Sequence, residues 1–236
     1  MLGLGPAPAI PPAGKLSADF TRALADFDAC RYAALTVRLP RLIRAGHVLT
    51  ANSDETAPYA PLAKSYLLAT RMLTKMDEQQ LGGMAPDRAR QLAETAQDVL
   101  AVAESARQLA VAARKAGWHS EALSIPLSAA DHPDLRRAGR PGAAARGLLV
   151  QSASYTFARR GDRDGMRELT DEAAAIAQEL GGVTLLRDHG GGFSPLTVTL
   201  HKISAENHAG DPWPHSPPPT QSPSKPCPAS NAAPAP

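Results

Sequence analysis

The residues best equipped for chemistry sit within eight positions of one another. Arg187, Asp188, His189 and Ser194 supply a cation, a carboxylate, a titratable ring and a hydroxyl. The glycines at 190–192 let a ligand approach the backbone, because they carry no Cβ. His189 followed by three glycines also matches the oxyanion-hole run of lipases. That chemistry needs a G-x-S-x-G elbow on an α/β sheet, and neither an elbow nor a strand ladder can be read here. Two readings of residues 185–195 therefore stand: a flexible glycine-rich loop between helices, or a ligand-contacting loop using Arg187, Asp188, His189 and Ser194.

Other constellations are weaker. The histidines are His47, His119, His132, His189, His201, His208 and His215. None has HExxH or Cys/His zinc spacing, so no metal is expected. His201 and His208 could share a helix face, but no carboxylate accompanies them. No P-loop or G-x-G-x-x-G occurs, and neither a cofactor nor an enzymatic activity is expected. Trp118 reads as a packing residue in its turn or as a groove contact. Arg136, Arg137, Arg140 and Arg146 cluster around one polar stretch. A solvated loop is the simpler reading than a phosphate site, because no helix-turn-helix pattern or aromatic accompanies them.

Helices must position these residues. Four times an apolar helical stripe ends in a short polar turn and a second stripe begins. The turns are Asp28–Arg31, Asp77–Gln79, Gly117–His119 and Gly161–Arg163, spaced by 49, 40 and 44 residues. Irregular tandem helix pairs predict an all-α fold, a tetratricopeptide-like right-handed α-solenoid of antiparallel helix pairs. Ser17 is a candidate N-cap for a short helix through about Phe27. The stripe Leu35, Leu39, Leu42, Gly46, Leu49 predicts a helix over 32–50, with Pro40 inside it. Helices are also expected from Pro58–Pro61 through Leu73, around Ala85–Ala96, over Asp98–Ala116 and after Trp118. Residues 132–142 read as a polar loop, and Ala143–Arg160 as helix. The stripe Met166, Leu169, Ala173, Ile176, Ala177, Leu180 is the cleanest, with Gly181-Gly182 as its C-cap. A last helix over about 196–208 leaves Leu196, Val198, Leu200 and Ile203 without a neighbour, which predicts dimerisation or aggregation.

Composition bounds the rest. The hydrophobic fraction of 43% can build a core, but aromatics are only 4%, so the core must be Leu, Ala and Val. A net charge of +2 is too small for an electrostatic footprint on DNA. Cys30 and Cys227 are poorly placed for a structural disulfide, which favours a reducing cytoplasm. No apolar run reaches the roughly 18 residues of a membrane span. Residues 1–15 read as a Pro-rich lead-in, 16–209 as the helical body, and 210–236 as a disordered tail. That tail holds 10 of the 22 prolines and cannot bury enough surface to order itself.

Four stretches carry a resemblance: Leu39–Asn52 (LPRLIRAGHVLTAN), Lys75–Gln97 (KMDEQQLGGMAPDRARQLAETAQ), Asp98–Asp131 (DVLAVAESARQLAVAARKAGWHSEALSIPLSAAD) and Tyr155–His208, with GDRDGMRELTDEAAAIAQELGG and RDHGGGFSPLTVTLHKISAENHAGDP. In this order they resemble the C-terminal sensor region of XRE-type helix-turn-helix transcriptional regulators of high-GC Gram-positive bacteria. The resemblance implies a tetratricopeptide-like solenoid that holds a peptide or small-molecule effector, or self-associates through its repeats. A DNA-binding domain would precede it in that family; this chain supplies no residue for reading DNA. Proline-rich sequence after Pro212, and Pro86 and Pro126 where the family favours helix formers, point to a truncated copy. A free-standing tetratricopeptide-like interaction scaffold is the alternative expectation.

Overall fold

The computed structural model describes residues 13–189 and 191–210. These form ten α-helices and one small β-hairpin. In chain order the helices are α1 (Ala13–Asp28), α2 (Tyr32–Ala51), α3 (Tyr59–Lys75), α4 (Gln79–Thr95), α5 (Val99–Lys115), α6 (His119–Ala130), α7 (Pro133–Arg137), α8 (Gly139–Arg159) and α9 (Arg163–Leu180). The hairpin strands β1 (Thr184–Leu186) and β2 (Gly191–Phe193) follow, then α10 (Pro195–Gly210). The fold is all-α. The expected tail beyond residue 210 and most of the lead-in lie outside the described residues.

One backbone turn recurs five times. It joins α1 to α2, α3 to α4, α4 to α5, α5 to α6 and α8 to α9. In each, a left-handed residue follows the helix: Cys30, Asp77, Gln97, Gly117 or Gly161. The next residue donates its N–H to the carbonyl five positions back, as Asp98 does to Ala93 and Asp162 to Phe157. This bond closes a helix end whose last carbonyls would otherwise lack partners. Asp98 and Asp162 then cap the following helices by accepting from Ala101 N–H and Gly165 N–H. Only two of the five left-handed positions are glycine. The turn at Gln97 carries none and adds to the four legible in the sequence.

Packing follows from the stripes. In α2 the buried set is the predicted Leu35, Leu39, Leu42, Gly46 and Leu49. In α9 it is Met166, Thr170, Ala173, Ile176, Ala177 and Leu180, with Gly181 left-handed at the C-cap. The helices α1, α3, α5, α8 and α10 touch one another in succession. The others pack chiefly between them: α2 on α1 and α3, α4 on α3 and α5, α6 on α5 and α8, α9 on α8 and α10. Alanine makes this closeness possible, since Ala101, Ala110, Ala122, Ala144, Ala153, Ala173 and Ala177 are fully buried.

Three expectations need correction. Residues 132–142 are not a loop. They form α7, capped by the His132 ring at Asp134 N–H, and the start of α8. Pro133 favours the first turn of a helix, since its missing N–H has no partner there anyway. Ser17 is not a cap, because α1 already begins at Ala13 and the Ser17 carbonyl accepts from the Thr21 hydroxyl. Residues 185–195 are not a flexible loop either. Thr184 pairs with Phe193, and Leu186 with Gly191, as an antiparallel ladder. The Phe193 ring is fully buried against Gly147 of α8, where a Cβ would lie 2.2 Å from the ring.

Both Pro86 and Pro126 lie buried inside helices, so α4 and α6 accept them. In α10 Val198 turns inward, while Leu196, Leu200 and Ile203 are exposed, as expected. No described helix is long and apolar enough to cross a membrane.

Candidate functional site

The structure gives most of the sequence-predicted site residues structural partners. Asp188 accepts from Lys64 of α3 at 3.3 Å, and the His189 ring meets the Asp98 carboxylate at 3.3 Å. The hairpin is thereby tied to the beginning of α5 and to α3. Burial alone would raise the Asp98 pKa; the His189 hydrogen bond, the Ala101 N–H and the charges of His189 and Lys64 outweigh it and hold the carboxyl below its usual value. Ser194 is buried and caps α10: its Oγ accepts from Thr197 N–H, while Thr197 Oγ1 accepts from Ser194 N–H. This reciprocal box follows from Ser-Pro-x-Thr, with proline in the first helical turn. Ser194 is thus not turned toward a ligand. The Arg187 side chain lies outside the described residues.

Trp118 is 64% exposed, so it does not pack into its turn. Its backbone N–H closes the turn on Ala113. No hydrogen bond or ring contact joins its indole to the hairpin among the described residues. The arginine cluster is used structurally. Arg136 pairs with Asp131, Arg137 with Asp134 and Arg146 with Glu172, while Arg140 donates to the Leu180 carbonyl.

A different set of residues converges. On α5 a buried carboxylate, Glu104, accepts two hydrogen bonds of 2.7 Å from Arg107 and one of 2.6 Å from Gln108 Nε2. Glu104 keeps 2% of its side-chain surface in water and Arg107 keeps 23%. Desolvation would lower the Arg107 pKa; the Glu104 charge and hydrogen bond more than reverse that, and the guanidinium stays charged.

Arg71 of α3 lies 4.3 Å over the Phe27 ring of α1. It has no hydrogen-bonded or ion-paired partner among the described residues. Desolvation lowers its pKa, Glu104 raises it, Arg107 lowers it and Asp28 raises it. Two turns along α5, Arg114 donates to the Ser152 carbonyl and to Thr156 Oγ1 of α8, and lies over the Tyr155 ring. Its pKa is pushed down to about 10, first by desolvation and further by Arg159 and Arg107, against the Tyr155 contribution.

His201 of α10 completes the set. Desolvation, then the positive charges of Arg107 and Arg114, lower its pKa and favour the neutral ring. Beside it Gln151 is buried, and neither its amide oxygen nor its nitrogen has a partner among the described residues. Gln151, Tyr155 and His201 line a cleft of about 10 Å³, room for one small polar group. Arg71, Arg107 and Arg114 are the cations that α3 and α5 bring to this region, with the neutral His201 ring of α10 beside them. Glu104 is the carboxylate among them.

Such cations attract anions. Three open depressions of about 510–580 Å³ lie elsewhere, against α1 and α2, around α5 and α7, and between α2, α3 and α4. No group of three metal-ligating side chains occurs among the described residues. No protein-family model, curated protein or solved structure matches this chain.

Proposed function

We propose that this chain is the effector- or partner-binding regulatory region of an XRE-type helix-turn-helix transcriptional regulator, working in the cytoplasm. Its helices are read as a right-handed tetratricopeptide-like solenoid of antiparallel pairs. The five-fold recurrence of one inter-helix turn supports that reading. So does the succession α1, α3, α5, α8, α10, which suits the inner wall of a solenoid.

The observation that carries the function is the set of cations on that wall. Among the described residues Arg71 has no hydrogen-bond acceptor, and desolvation with the charges of Arg159 and Arg107 pushes the Arg114 pKa down to about 10. Folding alone gives no reason to gather such charges beside one another. A ligand that neutralises them does, and its binding energy would act on the spacing of the helices that carry them. We assign no residue of this chain to reading DNA.

Affinity capture with the tagged chain tests the proposal. Full-length helix-turn-helix proteins or a small effector should be retained. Retention of unrelated enzymes alone would overturn the regulatory reading and favour an interaction scaffold.

A further inference from the structure

We propose that the outer face of α10, with α9 beside it, docks into the groove between α1 and α2 of a second copy, so that copies join head to tail. The contact joins the two ends of the helix succession and needs no part of the regulatory role proposed above.

One face is the apolar stripe of α10. Leu196, Leu200 and Ile203 are each more than half exposed. They recur at intervals of four and three residues and so share one side of the helix. They span about 10 Å of its length at 1.5 Å per residue. Val198 and Ala205 turn the other side inward, where α8 and α9 lie.

The other face is a groove of about 580 Å³ between α1 and α2. Leu16, Leu42 and Ala45 give it an apolar floor, and exposed Val37 stands beside them. Every lining residue belongs to α1 or α2 and none to α3, which packs on both. The groove therefore opens away from the rest of the succession. Being open, it suits a helix that needs one face covered, whereas small-molecule sites enclose most of their ligand. A helix laid in such a groove anchors through residues at i, i+4 and i+7, which is the spacing of Leu196, Leu200 and Ile203.

Charge selects a second copy as the occupant. Residues 13–51 hold six Lys and Arg against three Asp, a net +3 with histidine neutral, while the whole chain is only +2. Arg38, Arg41 and Arg44 are on α2, which has no carboxylate. At the groove Arg38 is paired with Asp26, and Asp19 with Arg22. Lys15 and Arg41 also line it and have no ion-paired partner among the described residues. Helices α9 and α10 reverse the balance, with three cations against six carboxylates, a net −3. Both arginines of α9 are held by α10, Arg163 at the Ala209 carbonyl and Arg167 at Glu206. Asp164, Glu168, Asp171 and Glu179 stay exposed, with no ion-paired partner among the described residues. An apolar stripe beside a negative helix thus meets an apolar groove with a positive rim, and the charges fix the orientation. Two α10 stripes packed on each other would instead bring the α9 carboxylates of both copies together.

Sedimentation velocity of the whole chain in low salt tests this. The mean mass should rise above the monomer with concentration, as open chains or a closed ring. Leu200→Glu with Ile203→Glu on α10, and Val37→Glu with Arg41→Glu on α2, should each weaken association at least tenfold. All four side chains are exposed, and thermal melts check that each variant folds. An equimolar mixture of the two double variants should restore a dimer that grows no further, since one supplies the intact groove and the other the intact stripe. Met84→Gln, at an exposed apolar residue of α4, should change nothing. Salt at about 1 M, where the screening length falls to about 3 Å, should weaken the contact. A chain that stays monomeric at hundreds of micromolar would overturn the proposal. A dimer lost in the α10 variant but intact in the α2 variant would overturn it in favour of paired α10 stripes. A mixture that stays monomeric, or association that high salt leaves unchanged or strengthens, would overturn it as well.

Discussion

Removing Arg107 should destabilise this protein more than removing the carboxylate it pairs with. In Arg107→Ala, Glu104 remains with 2% of its side chain in water and Gln108 Nε2 as its remaining donor. An orphaned buried charge of this kind costs about 3–5 kcal/mol. In Glu104→Ala the orphan is Arg107, which already keeps 23% of its surface in water. Water takes over part of the lost bonding, and the expected cost falls to about 2–3 kcal/mol, the range for hydrogen bonds to a charged partner. The double variant leaves no unpaired charge. It should be less destabilised than the sum of the singles by about 2 kcal/mol, the scale of coupling between residues in direct contact.

Urea unfolding followed by helical circular dichroism reads this directly. At a slope of about 2–3 kcal/mol per M, the upper part of the usual range, Arg107→Ala lowers the midpoint by more than about 1 M. The reasoning fails if Arg107→Ala stays within about 1 kcal/mol of the parent, a value expected for surface pairs. It fails equally if the double variant loses the simple sum.

Three further outcomes follow from the geometry. Gln97 holds a left-handed backbone at φ 53°, and Gln97→Gly should raise stability by about 0.5–1 kcal/mol, seen as a higher melting temperature. Phe193→Ala should cost about 3–5 kcal/mol; Gly147→Ala should also destabilise, and combining it with Phe193→Leu should cost less than the two changes summed, because the added methyl and the ring compete for one place. Burial, then the charge of Arg88, lowers the His47 pKa from 6.5; the unfolded chain therefore binds the proton more readily, and this contribution to stability is full above pH 6.5 and declines as pH falls below it. His47→Gln should flatten the loss of stability between pH 7.5 and 5.5, and a variant equally steep would refute the assignment.

Much of the fold was legible in the residues because two signals agreed. The stripes of α2 and α9 recur at helical spacing and end in turn residues, so both periodicity and punctuation mark them. Where punctuation misled, the reading slipped. Pro133, Pro141 and four arginines between 136 and 146 looked like a loop, yet Pro133 opens α7 and each arginine has a partner on a helix or at its cap. The glycines at 190–192 hid the hairpin, since three-residue strands carry almost no alternation. The one strong clue was Phe193, an aromatic in an aromatic-poor chain, and its pocket exists because Gly147, 46 positions earlier, has no side chain.

The polar residues that gather on α3, α5 and α10 were harder to read, and the reason is physical. Arg187, Asp188, His189 and Ser194 drew attention because they are close in sequence, but short-range proximity is what caps and turn ties require. Ser194 closes a helix, and Asp188 and His189 fasten a hairpin. A surface made by successive helices takes one or two residues from each, so its members stand far apart. Arg71, Arg114 and His201 are separated by 43 and 87 positions. The local trace is an interruption of the core pattern. On α5 the buried set Ala101, Ala103, Ser105, Ala106, Ala110 and Ala113 is broken by buried Glu104 and Gln108. A carboxylate at core spacing among alanines demands a cation beside it. Arg107 answers that demand with two hydrogen bonds of 2.7 Å. The polar residue out of place on a helix, more than the cluster in a loop, marks the surface we propose as a binding face.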